Sequence, residues 1–333
     1  MAETEYDVVA LGNAIVDVIA PVEEDFITRW DIVRDSMTLI EEPRAEELTA
    51  AADGKAQELS GGSAANTAAG VASFGGRAAY LSKVADDRLG DFFRKDMNEG
   101  GIRFGTEPLT NGPATARSII FVTPDGSRSM NTFLGASVMF SPADVDEETI
   151  RGAGITYMEG YLFDREEAKK AFIHASEIAA AAGRKVSLTL SDSFCVDRHR
   201  ESFKHLVKNH VDILFANEAE LLSLYETDSL ENAIAALRED SALAAVTRGE
   251  HGSVIIGEGD PITVAAEPIE KVIDTTGAGD QYAAGFLFGF SKGLPLELCA
   301  RLGHVAAAEV ISHYGPRPET PYAELARKAG IEA

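Results

Sequence analysis

The sequence predicts an α/β protein: a mostly parallel central sheet with helices on both faces, and a small accessory β-sheet. Three observations carry this. Apolar strand patterns alternate with helix patterns along most of the chain. Glycine-rich turns open helices at Gly61-Gly62-Ser63 and at Gly277-Ala278-Gly279. A hairpin pattern at Ala114–Leu134 falls outside the alternation and supplies the accessory strands.

Taken in order, Tyr6–Leu11 reads as a buried strand that ends at Gly12. Ala20 to about Ala45 is polar and mixed. Gly61-Gly62-Ser63 opens an alanine-rich helix to about Ser73, and Ala78–Val84 follows as a strand. Ser118–Val122 and Ser127–Phe133 are the arms of the hairpin, around the turn composition Thr123-Pro124-Asp125-Gly126. Ile155–Leu162, Lys185–Leu190, Val211–Phe215 and Leu243–Thr247 are strands, with helices at Arg165–Ala182 and Asn217–Tyr225. Gln281–Phe290 reads as a buried helix of small and aromatic residues. One domain is expected across 1–333, with segments at about 15–45 and 110–136 forming a lid that keeps water from a reacting phosphate.

With 333 residues, 45% of them hydrophobic, the chain can bury a large core. A formal charge of −24 argues against nucleic acid or an anionic membrane as partner. An anionic nucleotide would then need local screening by Mg²⁺ and a few placed arginines or lysines. Cys195 and Cys299 make neither a disulfide framework nor a metal-ligand spacing. The N-terminus lacks a signal-peptide pattern, and the apolar runs are too short to cross a bilayer, so the expected location is cytoplasmic.

Asp274-Thr275-Thr276-Gly277-Ala278-Gly279-Asp280 carries most of the functional information. A glycine turn that opens a helix leaves backbone N–H groups unpaired and aimed at one point, with the helix dipole behind them: a seat for phosphate. Asp280, in the first helical turn, is placed to accept a proton from a hydroxyl beside that phosphate. The plain alternative is a tight turn with an acid that suits the dipole. No Gly-X4-Gly-Lys-Ser/Thr occurs, and Tyr282 stands where a dinucleotide fingerprint needs its third glycine.

Four further segments read in two ways. Asn217 with Glu220 is a capping box, or a phosphate contact beside a carboxylate that orients water around Mg²⁺. Thr247-Arg248-Gly249-Glu250-His251-Gly252 is a hairpin turn, or a loop whose glycines let backbone approach a nucleotide. Asp17 follows the first strand, where α/β sheets bind ligands, as a turn residue or a ribose-diol acceptor. Asn66, one turn into its helix, is a mid-helix polar residue or a donor to sugar hydroxyls.

Together these segments resemble the ribokinase-like (PfkB) carbohydrate kinase family, in the family's order and over Tyr6 to about Pro318. The resemblance implies a three-layer α/β/α sandwich with a small β-sheet lid, ATP and Mg²⁺ as cofactors, and possibly K⁺. Val211–Glu218, Tyr157–Tyr161, Arg301–Ala307 and Glu24–Glu41 are most similar to the adenosine kinase branch. By that resemblance Asn13, Asp17, Gly62, Ser63 and Asn66 hold the ribose. Met37, Leu39, Ser118, Leu134, Tyr161 and Phe194 border the purine. Asn217, Thr247, Gly249, Gly252 and His304 belong to the ATP site, and Arg128 meets the transferring phosphate. Glu220 serves Mg²⁺ through water, and Asp274 with Thr276 would serve K⁺. Gly277, Ala278 and Gly279 form the anion hole, and Asp280 is the general base. Met37, Ser63-Ala64-Ala65 and Ala114-Thr115-Ala116-Arg117 depart from the branch's pattern.

The implied reaction is ATP-dependent phosphorylation of the adenosine 5′-hydroxyl, by a monomer or homodimer. The alternatives are a kinase of ribose, fructose, inosine or guanosine, and a nucleoside-binding sensor without turnover.

Overall fold

The computed structural model describes residues 4–52, 54, 56–241 and 243–332. Its strands run β1 (Tyr6–Leu11), β2 (Ile15–Pro21), β3 (Met37–Leu39), β4 (Gln57–Gly61), β5 (Ala78–Leu81), β6 (Ile102–Phe104), β7 (Ala116–Val122) and β8 (Arg128–Phe133). There follow β9 (Ala153–Glu159), β10 (Lys185–Thr189), β11 (Ile213–Asn217), β12 (Leu243–Thr247), β13 (Ser253–Ile256) and β14 (Ile262–Val264). Nine strands form one sheet in the order β14-β13-β12-β11-β10-β9-β1-β5-β6, and five form a second in the order β3-β8-β7-β2-β4.

The large sheet is parallel from β6 to β12, and β13 and β14 close one edge antiparallel. Buried β1 sits between β9 and β5, as its unbroken apolar run requires. Val9 and Leu11 face one core with helices Glu166–Ala181, Ser193–Asn209 and Glu218–Tyr225. Val8 and Ala10 face the other, with helices Ser63–Ser73, Arg88–Glu99, Ala278–Ser291 and Leu296–Val310. This is the predicted three-layer arrangement.

The accessory sheet buries one face under helices Glu24–Arg29 and Glu42–Ala51, through Ala20, Ile119, Phe121, Phe133, Ile27 and Leu48. Its other face carries Asp17, Ile120, Arg128 and Met130 towards the large sheet. The expected lid segments supply β2, β3, β7 and β8. The fifth strand, β4, lies outside both. Its sequence, Gln57-Glu58-Leu59-Ser60-Gly61, has only one strongly apolar residue and does not signal a strand. The polar stretch from Ala20 to Ala45 holds the end of β2, a short helix, β3 and the start of a second helix. These elements are too short for periodicity to show.

Helix Ala278–Ser291 is the element on which the site is built. It packs against Leu296–Val310 at a distance only glycine permits: a Cβ on Gly285 would lie 2.4 Å from the Leu302 carbonyl oxygen. Gly285→Val must therefore push the two helices apart. Urea unfolding should show a loss of about 1–3 kcal/mol, as for other overpacked cores. An unchanged midpoint would mean that the pair is loosely packed.

Candidate functional site

The C-terminal ends of β10, β11 and β12 open into a cleft of about 450 Å³, roofed by the accessory sheet. Asp17, Gly62, Ser63, Asn66, Arg128, Tyr161, Asn217, Glu220, Thr247 and the whole turn from Thr275 to Asp280 line it. A second cavity, of about 530 Å³, lies on the far side of the same turn, against Gly249, Gly252, Val272 and His304. The two share Thr247, Thr275, Ala278, Gly279 and Tyr282, so they meet at the glycine turn.

Gly277 caps the helix with φ +80°, a conformation unfavourable for any side chain. A Cβ there would also sit 2.7 Å from the Pro316 ring. Ala278 N–H turns back to the Thr275 carbonyl at 3.2 Å, so it is engaged within the turn. Gly277 and Gly279 N–H have no backbone partner among the described residues. A Cβ on Gly279 would meet nothing within 4 Å. The anion seat thus falls to the two glycines, with Ala278 spent on closing the turn.

Asp280 stands in the first turn of the helix. Ser63 Oγ donates to its Oδ1 at 2.6 Å, and Asn66 Nδ2 donates to its Oδ2 at 3.0 Å. Ser63 and Asn66, assigned by resemblance to the ribose, are here bonded to the Asp280 carboxylate. Burial pushes the Asp280 carboxyl above its ordinary range, while those two hydrogen bonds and the Arg317 charge pull it back.

Asp17 fits against Gly61, where a Cβ would lie 2.4 Å from the carboxylate. Burial pushes its carboxyl up to about 6, against the opposing pull of Arg128 and Arg317. Asn13 does not line the cleft. It is buried and donates through Nδ2 to Glu159 Oε1 at 2.9 Å, and its backbone N–H binds the same oxygen. The other Glu159 oxygen takes Ala64 N–H at 2.8 Å, at the start of the helix that presents Ser63 and Asn66. Burial pushes Glu159 up to about 7.

The residues expected around a purine are not gathered. Tyr161 lines the cleft, whereas Met37, Leu39 and Phe194 are exposed and Ser118 is hydrogen-bonded to Thr132 at 2.9 Å. Leu39 and Leu134 line a separate cavity of about 630 Å³. The register explains the separation. Leu39, Thr132, Ser118 and Asp17 form one row across the accessory sheet. Leu39 is three strands from Asp17, about 14 Å at ordinary strand spacing. Ile120 and Met130 occupy the nearer positions.

Thr247, Gly249, Gly252 and His304 do come together, around the second cavity. Tyr282 Oη donates to Ser253 Oγ at 2.8 Å, which lies 2.9 Å from His304 Nε2. Burial pushes His304 down to about 4, so the ring is neutral at physiological pH. Asn217 and Glu220 form the capping box: Glu220 N–H binds Asn217 Oδ1 at 2.9 Å, and Glu220 Oε2 accepts Asn217 N–H at 3.0 Å. They also line the cleft, so the two readings of this pair coexist. Burial pushes Glu220 up to about 7.

Arg128 pairs with Asp274. Asp274 also accepts from Thr276 Oγ1 at 2.6 Å and from Gly315 N–H at 3.1 Å. Both its oxygens are taken, so this carboxylate offers no free oxygen to K⁺. Sequence reasoning missed Glu159, Arg317, and Ser191, which lines the cleft at φ +73°. Arg317 and Ser191 lie in no motif, and Glu159 lies in the Tyr157–Tyr161 segment, where it was given no role of its own. The positive φ and the buried carboxylate exist only in the folded chain.

The chain matches the pfkB family carbohydrate kinase model over residues 7–322. A probable sugar kinase protein from Rhizobium etli CFN 42 is 49% identical, with a TM-score of 0.91, covering 99% of this chain and 100% of that one. The adenosine kinase from Sinorhizobium meliloti is 52% identical, with a TM-score of 0.89, over 98% and 99% of the two chains. The Saccharomyces cerevisiae adenosine kinase is 24% identical over 92% of this chain and 95% of its own. A family match over nearly the whole chain, on a fold that sets an acid beside an open helix N-terminus, leaves one assignment: the chain belongs to the pfkB family of carbohydrate kinases, phosphotransferases that act on hydroxyl groups.

Proposed function

We propose that this protein transfers the γ-phosphate of ATP to the 5′-hydroxyl of adenosine, giving AMP and ADP. The observation that carries the reading is the meeting of two cavities at one glycine turn with Asp280 beside it. One cavity takes the acceptor, the other the nucleotide, and both are of ordinary ligand size. The 49–52% identical relatives include one named as an adenosine kinase.

In this reading Asp17 accepts the ribose diol and turns the 5′-oxygen towards Asp280. Phosphoryl transfer has a loose transition state, so the base is needed late and a carboxylate suffices. The pull of burial on Asp280 makes it a better acceptor than an exposed aspartate. Gly277 and Gly279 N–H stabilise charge on the moving phosphoryl group, and Arg128, which lines the cleft while paired with Asp274, would have to leave that pair to meet it. Among the described residues no cluster of three or more His, Cys, Asp or Glu side chains could hold a metal. Mg²⁺ would accompany the phosphates and neutralise their charge, held through water by Glu220 beside Asn217. Asp274 is already engaged by Arg128, Thr276 and Gly315, so a K⁺ beside this turn would draw chiefly on backbone carbonyls of the turn and of the His313-Tyr314-Gly315 loop.

A free sugar as acceptor is the second reading. It is favoured by the exposure of Met37, Leu39 and Phe194 away from the cleft, and by the relative named as a probable sugar kinase. ADP release with ATP, Mg²⁺ and each of adenosine, inosine, guanosine, ribose and fructose decides between them. Adenosine is expected to be turned over strongly. Turnover with ribose or fructose alone would replace the acceptor and keep the chemistry, and ATP binding without any turnover would mean a sensor.

Asp280→Asn should lower kcat by about 10²–10⁴-fold, the range of general-base help, with ATP affinity in calorimetry unchanged. A variant that keeps near-normal kcat would remove Asp280 from the chemistry.

Asp17 has a folded-state pKa of about 6, above its ordinary 3.8, so its ionised form at neutral pH costs stability. Asp17→Asn should therefore stabilise the ligand-free protein at pH 8 in urea unfolding. That gain should shrink as pH falls below about 6 towards 4. The acceptor KM should rise in the same variant. A stabilisation equal at pH 4 and pH 8 would show that burial of the charge is not its source.

A further inference from the structure

Arg317 lies in the segment that follows helix Leu296–Val310, in no recognisable motif. Its Nε donates to Asn66 Oδ1 at 3.0 Å, and Asn66 Nδ2 donates to Asp280 Oδ2 at 3.0 Å. A guanidinium can only donate, so it fixes which end of the Asn66 amide faces it. The NH₂ end is thereby committed to the carboxylate. We propose that Arg317 is a positioning residue for phosphoryl transfer, which holds the Asp280 carboxylate in its reactive orientation through the Asn66 amide. The proposal rests on the reading of Asp280 as the general base.

The same segment braces the turn that would hold the phosphate. Gly315 N–H binds Asp274 Oδ2 at 3.1 Å, and the Pro316 ring closes against Gly277. Pro316 O accepts Gln281 Nε2 at 2.8 Å, and the same nitrogen donates to Asn66 O at 3.1 Å. Gln281 is fully buried, which makes this junction rigid. Three consecutive residues, Gly315 to Arg317, thus fix both parts of the reaction: the anion seat and the base.

The charges agree. Glu159 and Tyr157, at the end of β9, and Tyr161 beyond it feel the Asp280 charge. On the accessory sheet Asp17 lies under the opposing charges of Arg128 and Arg317. Arg128 is committed to Asp274, so Arg317 is the cation that acts on Asp280. Removing it should raise the pKa of both Asp280 and Asp17 and move the acid limb of the pH profile upwards.

The experiment compares Arg317→Met, Arg317→Lys and Asp280→Asn in the full chain, with ATP, Mg²⁺ and whichever acceptor the wild type phosphorylates. Arg317→Met should lose about 10–100-fold in kcat, the cost of a base displaced by a fraction of an ångström to an ångström. Its acceptor KM should change by less than about threefold, and the acid limb of kcat should move to higher pH. Arg317→Lys keeps the charge without the fork, so it should restore the acid limb but only part of kcat. Unchanged kcat and acid limb in Arg317→Met, or in Arg317→Lys should the Met variant not fold, overturn the proposal. So does a loss confined to KM or to nucleotide affinity, which would mark a scaffold residue. If Asp280→Asn keeps its turnover, the general-base reading fails first and takes the relay with it. A dead Asp280→Asn beside a normal Arg317→Met refutes the relay alone.

Discussion

The N-terminus of helix Ala278–Ser291 has to meet two opposed demands, and the rest of the molecule is arranged around them. The Gly277 and Gly279 N–H groups stay without a backbone partner among the described residues, while the body of the helix, Gln281 to Gly289, is buried throughout. An open end on a buried helix is costly unless something outside the helix holds the chain that leads into it. The supports come from three directions. The Ser63–Ser73 helix supplies Ser63 and Asn66 to Asp280. The Gly315–Arg317 segment backs Gly277 and ties in Gln281. The Leu296–Val310 helix packs against Gly285 at backbone distance. Preorganisation of this kind leaves the donors aimed before the phosphate arrives, which is where electrostatic catalysis gains most.

Charge follows the same plan. The chain carries a formal −24, yet the cleft holds Asp17 and Asp280 close to Arg128 and Arg317. Desolvation alone would raise both carboxyls, and unchecked it would leave them protonated and useless as acceptors at neutral pH. Arg128 and Arg317 oppose that rise at Asp17, and the Ser63 and Asn66 hydrogen bonds with the Arg317 charge oppose it at Asp280. Glu159 solves a different problem. Its oxygens gather Asn13 and the Ala64 N–H, so the first loop and the helix that carries Ser63 move as one piece.

The sequence showed the large sheet and the glycine turn clearly, because both depend on local pattern. β1, β11 and β12 are near-continuous apolar runs buried on two faces, and such runs are visible without any tertiary context. Gly62, Ser63, Thr247 and Asp280 were reachable because each sits next to a glycine or at the end of a strand, where the chain itself marks a site, while Asp17 and Asn66 were reached through the resemblance. β4 and β3 were not legible, since neither has an apolar run and both owe their conformation to the strands beside them. Arg317 was hidden for another reason: its partner Asn66 is distant in sequence, and only the fold brings the two together. Met37, Leu39 and Phe194 show the limit of carrying roles over by resemblance. Their positions were carried over, Met37 already with a departure from the pattern, and the register of the accessory sheet and the start of helix Ser193–Asn209 set them outside the cleft in this structure.

Reaction and acceptor are therefore written in different parts of the molecule. The turn, the base and their supports belong to the large sheet and its helices, where a change in one residue disturbs several buried contacts. In the proposed reading the acceptor lies at Asp17, and the accessory-sheet residues that share the cleft with it are Ile120, Met130 and Arg128, whereas Ser118, Thr132 and Leu39 lie outside it. Substitutions at Ile120 and Met130 would change what stands beside Asp17 without touching Asp280. Two proteins of nearly equal identity to this one, 49% and 52%, bear the names of a probable sugar kinase and an adenosine kinase, so whole-chain identity does not by itself separate the acceptors. On the proposed reading the choice of acceptor falls to the few side chains of the accessory-sheet face that reach the cleft beside Asp17.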